Sequence, residues 1–247
     1  MRDFEDSTLW RISEFERIRL RTGSSGYASL DHQHTLLPTT LQVDLAPLLS
    51  RGDGLDVIEV LAACMRNQEP ALIYFECEGL VWPVTLFPAE GLYHSPRNII
   101  AASDQSLASL RPNSVEPPGV RPPGHRMVER IASKDCYHAL APALWALALR
   151  SSSHTLAPGI GGAAAYRALR SPAAEGLPTP GALGAAALQL HHHTAALTHI
   201  ARWPGMSLER GVRLLNGLYL TSNLMVSRTH PKARSQPSAS ERDKWLR

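Results

Sequence analysis

The sequence predicts an α+β fold, and three observations support this class. A segment of the N-terminal half, DGLDVIEVLAACMRNQEP, has apolar residues at helical spacing. Two runs rich in aromatic and β-branched residues, ALIYFEC and LVWPVTLF, follow it and are typical of strands. From about Met127 onward the chain is rich in Ala and Leu and favours helices. We therefore expect a mixed N-terminal domain followed by a helical C-terminal domain.

Composition and charge indicate a globular protein. The chain has 247 residues, of which 44% are hydrophobic and 19% charged, and its net charge is +3. Its three cysteines are widely spaced, which favours reduced thiols. The N-terminal residues MRDFEDSTLW do not resemble a signal peptide, and no apolar run approaches the ~20 residues of a membrane helix. We therefore expect a cytoplasmic protein.

The first well-defined helix is predicted after residue 53. Asp53 or Asp56 can cap its beginning by accepting backbone N–H groups, and Pro70 ends it. Five apolar residues share one face of this helix: Leu55, Ile58, Leu61, Ala62 and Met65. Before it, residues 8–21 fit either a short helix or a strand, and the following residues up to Pro38 resemble a loop.

A β-hairpin is predicted immediately after this helix. Glu78-Gly79 supplies a two-residue turn between the two predicted strands. Pro83 has no N–H to donate to a ladder, so we expect the second strand to lie at an edge or to bulge there. Trp82, Phe87 and Tyr93 are candidate partner-contact residues, because aromatic anchors are enriched at interfaces. The alternative is that they fill the core of the sheet.

A Pro-rich segment over residues 111–126 is predicted to separate two domains. It contains PPG twice and favours an extended polyproline conformation. We expect a stiff linker between an α+β interaction domain over residues 1–110 and a winged-helix-like domain over residues 127–229. A PxxP-binding partner is the alternative role. Residues 230–247 are polar and are expected to be disordered.

Four helices and one strand are predicted in the C-terminal domain. The helix candidates are HALAPALWALALR, GGAAAYRALR, PGALGAAALQLHHHTAALTHIA and SLERGVRLLNGLYL, and the strand candidate is NLMVSR. The last two helices, the WPGM turn between them and the strand resemble a helix-turn-helix with the beginning of a wing.

Four histidines of the third helix candidate raise the question of a metal site: His191, His192, His193 and His199. Two ligands on one helix need to be three or four residues apart, and no pair of these histidines has that spacing. His192 and His199 are about 10.5 Å apart along a helix axis. We expect a solvated face, with His193 half-buried, and no metal. A metal-dependent hydrolase with ligands from elsewhere is an alternative; stoichiometric zinc that is lost on mutating these histidines would support it.

Other motifs for catalysis or cofactor binding are weak. GIGGAA, residues 159–164, fits a relaxed dinucleotide pattern, but SSSHTLAP before it is not a convincing strand, so a Gly-rich start of a helix is expected. Cys64 and Cys77 are expected to be small buried residues, and Cys136 near His138 does not by itself define a dyad. We therefore expect no catalytic residue and no cofactor.

The C-terminal part carries an excess of positive charge. Nine basic and three acidic residues lie from Gly181 to the end, which leaves +6. This asymmetry is a hint of nucleic-acid binding. The candidate DNA-binding residues are Arg210, Arg213, Arg228, Lys232 and Arg234. The outward face of SLERGVRLLNGLYL has few polar side chains for reading bases, so protein contact is favoured over DNA binding.

The segment VIEVLAACMRNQEPALIYFECEGLVWPVTLFPAEGLYH resembles the PATAN-type regulatory domains of bacterial signalling proteins. The matching features are the helix Val57–Met65, the two strands and the turn Glu90-Gly91-Leu92-Tyr93-His94. Trp82-Pro83 and the Pro-rich segment depart from the family pattern. The resemblance implies a non-enzymatic signalling adaptor with a protein partner, followed by a degenerate winged-helix module. A DNA-binding regulator is the alternative.

Overall fold

The computed structural model describes residues 10–11, 17, 37–50 and 55–233 and confirms the α+β class. The chain divides into two compact units, residues 1–143 and residues 144–247. Most of residues 8–21, Arg234 and nearly all of the predicted tail lie outside the described residues. None of the helices that the described residues form has the length and apolar character needed to cross a membrane.

Two helices precede the sheet of the N-terminal unit. Helix α1 (Thr39–Leu49) is not among the predicted elements, although it buries a stripe at helical spacing made of Leu41, Leu45 and Leu48. Helix α2 (Val57–Asn67) is the predicted helix. Asp56 is its N-cap, and its Oδ1 accepts from the backbone N–H groups of the second and third helical residues over 2.8 and 3.2 Å.

The N-terminal unit contains a six-stranded sheet. Its strands are β1 (Trp10–Arg11), β2 (Ala71–Cys77), β3 (Leu80–Phe87), β4 (Leu92–His94), β5 (Arg111–Glu116) and β6 (Tyr137–Ala139). The order is β5-β2-β3-β4-β6, with β1 also on β3, and every pairing is antiparallel. The short helix α3 (Asp104–Ser109) precedes β5. The β2–β3 hairpin and its Glu78-Gly79 turn are confirmed, with φ of 53° and 75° at the two turn residues.

Pro83 lies in an internal strand of the sheet and not at its edge. Strand β3 is internal, because β2 pairs along its whole length on one side. On the other side β1 pairs with Leu80 and Val81, while β4 pairs only from Thr85 onward. Pro83 lies between these two stretches. The register with β2 is continuous through Pro83, and among the described residues no strand pairs with it on the other side, so the expected edge position and bulge are not observed there.

The segment predicted as a linker over residues 111–126 is part of the N-terminal unit. Its first six residues form β5 on β2, with a shift of register next to Pro112. Further along, the carbonyl of Arg121 accepts a hydrogen bond from the hydroxyl of Tyr137. The physical reason is that an extended segment can form hydrogen bonds with the backbone N–H and C=O groups that the edge of β2 would otherwise leave unpaired. The unit boundary lies at residue 143, so the predicted boundaries at 110 and 126 do not match the structure.

The C-terminal unit combines helices with a two-stranded sheet. Helix α4 (Leu140–Arg150) runs into this unit, and strand β7 (Ala165–Ala168) follows. Helices α5 (Ala182–His192), α6 (Leu197–Ile200) and α7 (Leu208–Leu220) come next, and strand β8 (Leu224–Ser227) follows them. The predicted helices at α4 and α7 and the predicted short strand at β8 are confirmed. Strand β8 pairs antiparallel with β7.

Two helix predictions in this unit are wrong. GGAAAYRALR was expected to be a helix, but its centre forms β7, because pairing with β8 overrides the helix propensity of its alanines. The helix expected over residues 182–201 ends at His192. His193 is extended, with φ −131° and ψ 137°, and Ala195 pairs with Tyr166 beside β7.

The core of the C-terminal unit is built around Trp145 of α4. This side chain is fully buried, and its Nε1–H donates to the carbonyl of Pro178 over 2.7 Å. The ring lies so close to α7 that a Cβ at Gly217 would stand 2.8 Å from ring atom Cε3. Next to it, the buried carboxamide of Asn216 accepts from the N–H of Ala157 over 2.9 Å. These contacts fix α7 within the unit and not on its surface.

Candidate functional site

The three predicted aromatic contact residues are buried in the N-terminal sheet. Trp82 is 6% exposed, and Phe87 and Tyr93 are 0% exposed. The Trp82 Nε1–H donates to Ser95 Oγ over 2.7 Å, and the Tyr93 hydroxyl donates to Asn98 Oδ1 over 2.9 Å. Side chains buried in this way give a partner little surface, although Trp82 also lines a cavity. The structure therefore corrects the contact prediction in favour of its alternative, the filling of the sheet core.

A mostly apolar cavity of about 440 Å³ lies beside the β2–β3 turn. Its walls include Cys77, Trp82 and Ser106. The Ser106 hydroxyl donates to Glu78 Oε1 over 3.2 Å, and the Cys77 thiol contacts the carbonyl of Ser106 over 3.6 Å. These polar groups are thus engaged within the unit, and what the cavity presents is chiefly apolar wall.

The cysteines fit the expected structural role. No disulfide links any of the three cysteines, and Cys64 and Cys77 are buried. Burial raises the pKa of the Cys64 thiol to about 12, because desolvation disfavours the thiolate. At neutral pH this thiol stays protonated, and a protonated thiol is a poor nucleophile.

The most perturbed histidine is His94, which was not singled out from the sequence. It is 7% exposed on β4, between Thr85 of β3 and Tyr137 of β6. Burial, reinforced by the nearby His138, lowers its pKa to about 4. Its Nε2 has no hydrogen-bond partner among the described residues. His94 is therefore neutral at physiological pH, and charging it would oppose folding.

The histidine run lies on two elements and not on one helix. His191 is half-buried at the end of α5, with Nδ1 3.3 Å from the carbonyl of Ala168, and its ring meets that of His192 edge-on at 5.2 Å. His193, expected to be half-buried, is exposed, because the helix has already ended. His199 belongs to α6. Within the described ranges, no three His, Cys, Asp or Glu side chains are grouped as metal ligands.

The two predicted DNA-contact residues of α7 are engaged with their own chain. Arg213 forms an ion pair with Glu209 over 2.6 Å, and the Arg210 guanidinium donates to the carbonyl of Gly205. Helix α7 also buries most of its length: Gly211, Val212, Leu214, Leu215, Asn216, Gly217, Leu218 and Leu220 are buried. This helix presents only a narrow face to solvent.

Among the remaining basic candidates, Arg228 has an internal role. Its Nη2 donates to the carbonyl of Gly159 over 2.9 Å and its Nη1 to that of Gly161 over 2.8 Å. The GIGGAA segment is thus a turn that leads into β7, and the expected helix start is wrong. Lys232 is exposed just after β8. Arg234 lies outside the described residues.

One outer surface of the C-terminal unit combines apolar side chains with a cation, and we call it the Arg167 face. Arg167 is exposed on β7 opposite Met225 of β8, and Leu169 follows two residues later on the same side. The Arg167 Nε donates to the carbonyl of His191 over 3.2 Å, which brings the end of α5 beside the strand. Leu188 lies three residues before His191, on the adjacent turn of that helix.

The Arg167 face exposes three large apolar side chains of types that are usually buried in folded proteins. Leu169 is 46% exposed, and Leu188 and Met225 are each 51% exposed. Of the six large hydrophobic side chains exposed within the described residues, these are three; the others are Val43, Ile100 and Val128. The face was missed in the sequence because β7 was expected to be a helix. In the structure, exposed Arg167 and Leu169 alternate with buried Tyr166 and Ala168, but the sequence shows no matching alternation because Leu169 is apolar.

Comparison of this chain with protein-family models, with curated proteins and with solved structures gives no match.

Proposed function

We propose that the protein is a non-enzymatic signalling or regulatory adaptor that binds a protein partner through the Arg167 face. The observation that carries this proposal is the exposure of Leu169 and Met225 beside Arg167 on the β7–β8 pair, together with exposed Leu188 on helix α5, whose end contacts Arg167. Grouped apolar side chains on a surface favour contact with another protein, because burying them releases water. Arginine and methionine are both enriched in protein interfaces.

The charge of the C-terminal unit suggests the chemistry of the partner. Residues 144–233 contain eight Lys or Arg and two Asp or Glu, and eight minus two leaves +6. Both acids, Glu175 and Glu209, pair with arginines of the same unit over 2.8 and 2.6 Å. A partner with an apolar segment flanked by Asp or Glu would match this surface and would be steered towards it.

The N-terminal unit supports the adaptor proposal through a resemblance. Its capped helix α2 and the β2–β3 hairpin are the elements that the PATAN-type bacterial regulatory domains share. In the C-terminal unit, the helices α6 and α7 and the following strand β8 include the helix, turn, helix and short strand in which the degenerate winged-helix module was expected. A cytoplasmic location belongs to the same proposal.

The proposal is tested by comparing two double variants that add equal negative charge. Leu188→Glu with Met225→Glu alters the Arg167 face, and Val43→Glu with Val128→Glu alters exposed sites of the N-terminal unit. Each is used as bait in cells that produce this chain, and the proteins retained are then purified for calorimetry. We expect one partner to bind wild type and the control alike and to bind the face variant at least tenfold more weakly. A partner that binds both variants equally well would refute the role of the face.

DNA binding is a second candidate, favoured by the +6 charge of residues 144–233. Binding through phosphate contacts weakens steeply with salt, by about 10³-fold or more between 50 and 200 mM for six or more contacts. Fluorescence anisotropy with labelled duplex DNA at these two salt concentrations measures this. An absence of binding at 50 mM would reject DNA as the partner.

A further inference from the structure

We propose that the partner of the Arg167 face supplies an extended segment with acidic ends, which pairs with strand β8 as a third strand. The segment binds along the edge of β8 that points away from β7, which we call the open edge. This inference rests on the proposed adaptor function, because it specifies how the same partner is bound.

The hydrogen bonds of β7 determine which backbone groups of β8 point outwards. In an antiparallel pair, residues bonded to the partner strand alternate with residues whose N–H and C=O groups point away from it. Tyr166 of β7 is of the second kind, because its N–H donates to the carbonyl of Ala195 over 2.8 Å and its carbonyl accepts from the N–H of Ala195 over 3.0 Å. Val226 lies opposite Tyr166, and Leu224 comes two residues before Val226. The backbone groups of Leu224 and Val226 therefore point away from β7.

The open edge has no strand beside it within the part of the chain that the structure describes. The two-stranded sheet consists of β7 and β8, and the bridge to Ala195 is on β7. Leu224 and Val226 thus present two N–H and two C=O groups at the spacing of a strand. Another extended backbone is the ligand that matches donors and acceptors in this alternating order.

Both ends of β8 are fixed by side chains. Before the strand, the buried carboxamide of Asn223 accepts from the N–H of Arg170 over 2.6 Å and donates to the carbonyl of Arg170 over 2.9 Å. After the strand, the guanidinium of Arg228 donates to the carbonyls of Gly159 and Gly161. An edge held in this way is preorganised, so little of the ordering cost of binding falls on β8.

The open edge is continuous with the Arg167 face. Met225 lies between Leu224 and Val226, and its side chain is 51% exposed on that face. Because side chains of neighbouring strands align on each face of a sheet, alternate side chains of an added strand would lie beside Met225. We therefore expect the bound segment to alternate apolar and polar residues.

Charge favours a partner over a second copy of this chain or its own tail. Residues 144–233 carry +6, and both of their acids are paired with arginines, so a second copy would bring like charge to the edge. Residues 234–247 contain four basic and two acidic residues, and four minus two leaves +2. A segment with Asp or Glu at its ends complements this unit, whereas the tail does not.

The test uses the full chain and a capped peptide of the sequence Asp-Leu-Thr-Val-Thr-Leu-Asp. Its control is the same peptide methylated at the three central backbone nitrogens, which keeps the side chains and removes the backbone donors. Amide hydrogen exchange is followed by two-dimensional ¹⁵N–¹H NMR. The amides of Leu224 and Val226 report on the open edge, and the amide of Met225, on the side of β7, is the internal reference.

In the free chain, we expect the amides of Leu224 and Val226 to exchange at least about tenfold faster than that of Met225. Saturation with the peptide should slow both amides at least about tenfold, because they become hydrogen-bonded. The methylated peptide should leave their exchange unchanged.

A substitution tests the same contact from the side of the protein. Val226→Pro removes one outward N–H without removing a bond between β7 and β8, and should weaken peptide binding about tenfold. Val226→Ala keeps the N–H and should change the affinity less than about threefold, since backbone bonds supply the affinity of strand addition. Urea unfolding shows whether both variants fold, and exchange in the wild-type chain decides the question if Val226→Pro does not.

Two kinds of result would overturn the proposal. Slow exchange of Leu224 and Val226 in the free chain would mean that the edge is already occupied, by a second copy if protection rises with protein concentration and otherwise by the chain itself. A lack of saturable binding of the peptide, or equal binding of its methylated form, would reject pairing through the backbone.

The adaptor proposal fails or stands separately. A partner that requires Leu188 and Met225 but leaves the amides of Leu224 and Val226 in fast exchange would support the adaptor and reject the third strand. A chain that retains no partner in cells but pairs with the peptide would reject the adaptor and support the open edge as a binding site.

Discussion

Each unit contains a central antiparallel pair of strands, and the two pairs differ in how many of their faces are buried. Strands β2 and β3 are joined by a two-residue turn, and side chains on both of their faces are buried. Strands β7 and β8 are separated by three helices, and Arg167 and Met225 are exposed on their outer face. The first pair thus forms the core of its unit, whereas the second leaves one face open. This difference separates residues whose burial stabilises the chain from residues that remain exposed on the surface.

The largest expected effect concerns the buried faces of the first pair. Phe87→Ala removes a fully buried ring from β3 and should lower the free energy of unfolding by about 3–5 kcal/mol. Met225→Ala removes a side chain that is 51% exposed on β8, and the free energy of unfolding should change by less than about 0.5 kcal/mol. Urea denaturation measures both. Equal losses would mean that the outer face of β7 and β8 is covered after all.

A second prediction uses pH to probe the covered sheet. The pKa of His94 is about 4 in the fold against 6.5 for the free side chain, so the unfolded chain binds the extra proton first. The contribution of neutral His94 to the free energy of unfolding is therefore fully present above pH 6.5 and is lost as the pH falls towards 4. At 1.36 kcal/mol per pKa unit the loss reaches about 3 kcal/mol.

His94→Gln should remove this decrease, and the exposed His192→Gln should retain it. The measurement is the midpoint of urea unfolding for wild type and both variants at pH 7.5, 6, 5 and 4. If wild type and His94→Gln lose stability in parallel, the decrease has another origin.

The third prediction compares two glycines of α7. A Cβ at Gly217 would lie 2.8 Å from the buried Trp145 ring, which cannot move away, so Gly217→Ala should destabilise the unit by about 1–3 kcal/mol. A Cβ at Gly211 would lie 2.9 Å from Leu197 Cδ1, the flexible end of a side chain. Gly211→Ala should therefore be neutral or should gain up to about 1 kcal/mol of helix propensity. Thermal unfolding of the two variants distinguishes them, and equal losses would contradict this account of the Trp145 contact.

The smallest expected effect on stability is at the Arg167 face. Leu188→Glu changes a side chain that is 51% exposed, so the free energy of unfolding should stay within about 0.5 kcal/mol of wild type. Urea denaturation tests this, with Leu190→Glu as the buried counterpart on the same helix, for which a severe loss is expected. A large loss from Leu188→Glu would show that this residue stabilises the fold and is not reserved for a partner.

The elements that the sequence predicted well are those with local signals. Asp56 caps α2 within its own turn, and Glu78-Gly79 closes a hairpin between adjacent strands. Strand β7 has no such signal, because its partner β8 lies beyond three helices and its alanines favour a helix. The same limit applied to β5, since prolines indicate an extended backbone but not which edge it will pair with.

The candidate site was harder to predict than the fold. Aromatic residue type indicated contact at Trp82, Phe87 and Tyr93, but exposure depends on what packs over a strand, and all three are covered. Conversely, Leu169 and Met225 resemble core residues in the sequence and are exposed. Arg210 of α7 is exposed as expected, but Arg213 is half-buried. The ion pair of Arg213 and the carbonyl contact of Arg210 depend on the exact turn of the helix.

The place of β6 matters for anyone who wishes to express the C-terminal half alone. A truncated fragment starting after the prolines, at residue 127, would keep β6 and discard β4, the strand on which it pairs. A strand that has lost its partner has unpaired backbone N–H and C=O groups, which favour self-association. A fragment starting at Leu140 would omit β6 and retain the whole of α4, including Trp145, and is the better choice for crystallisation and binding assays.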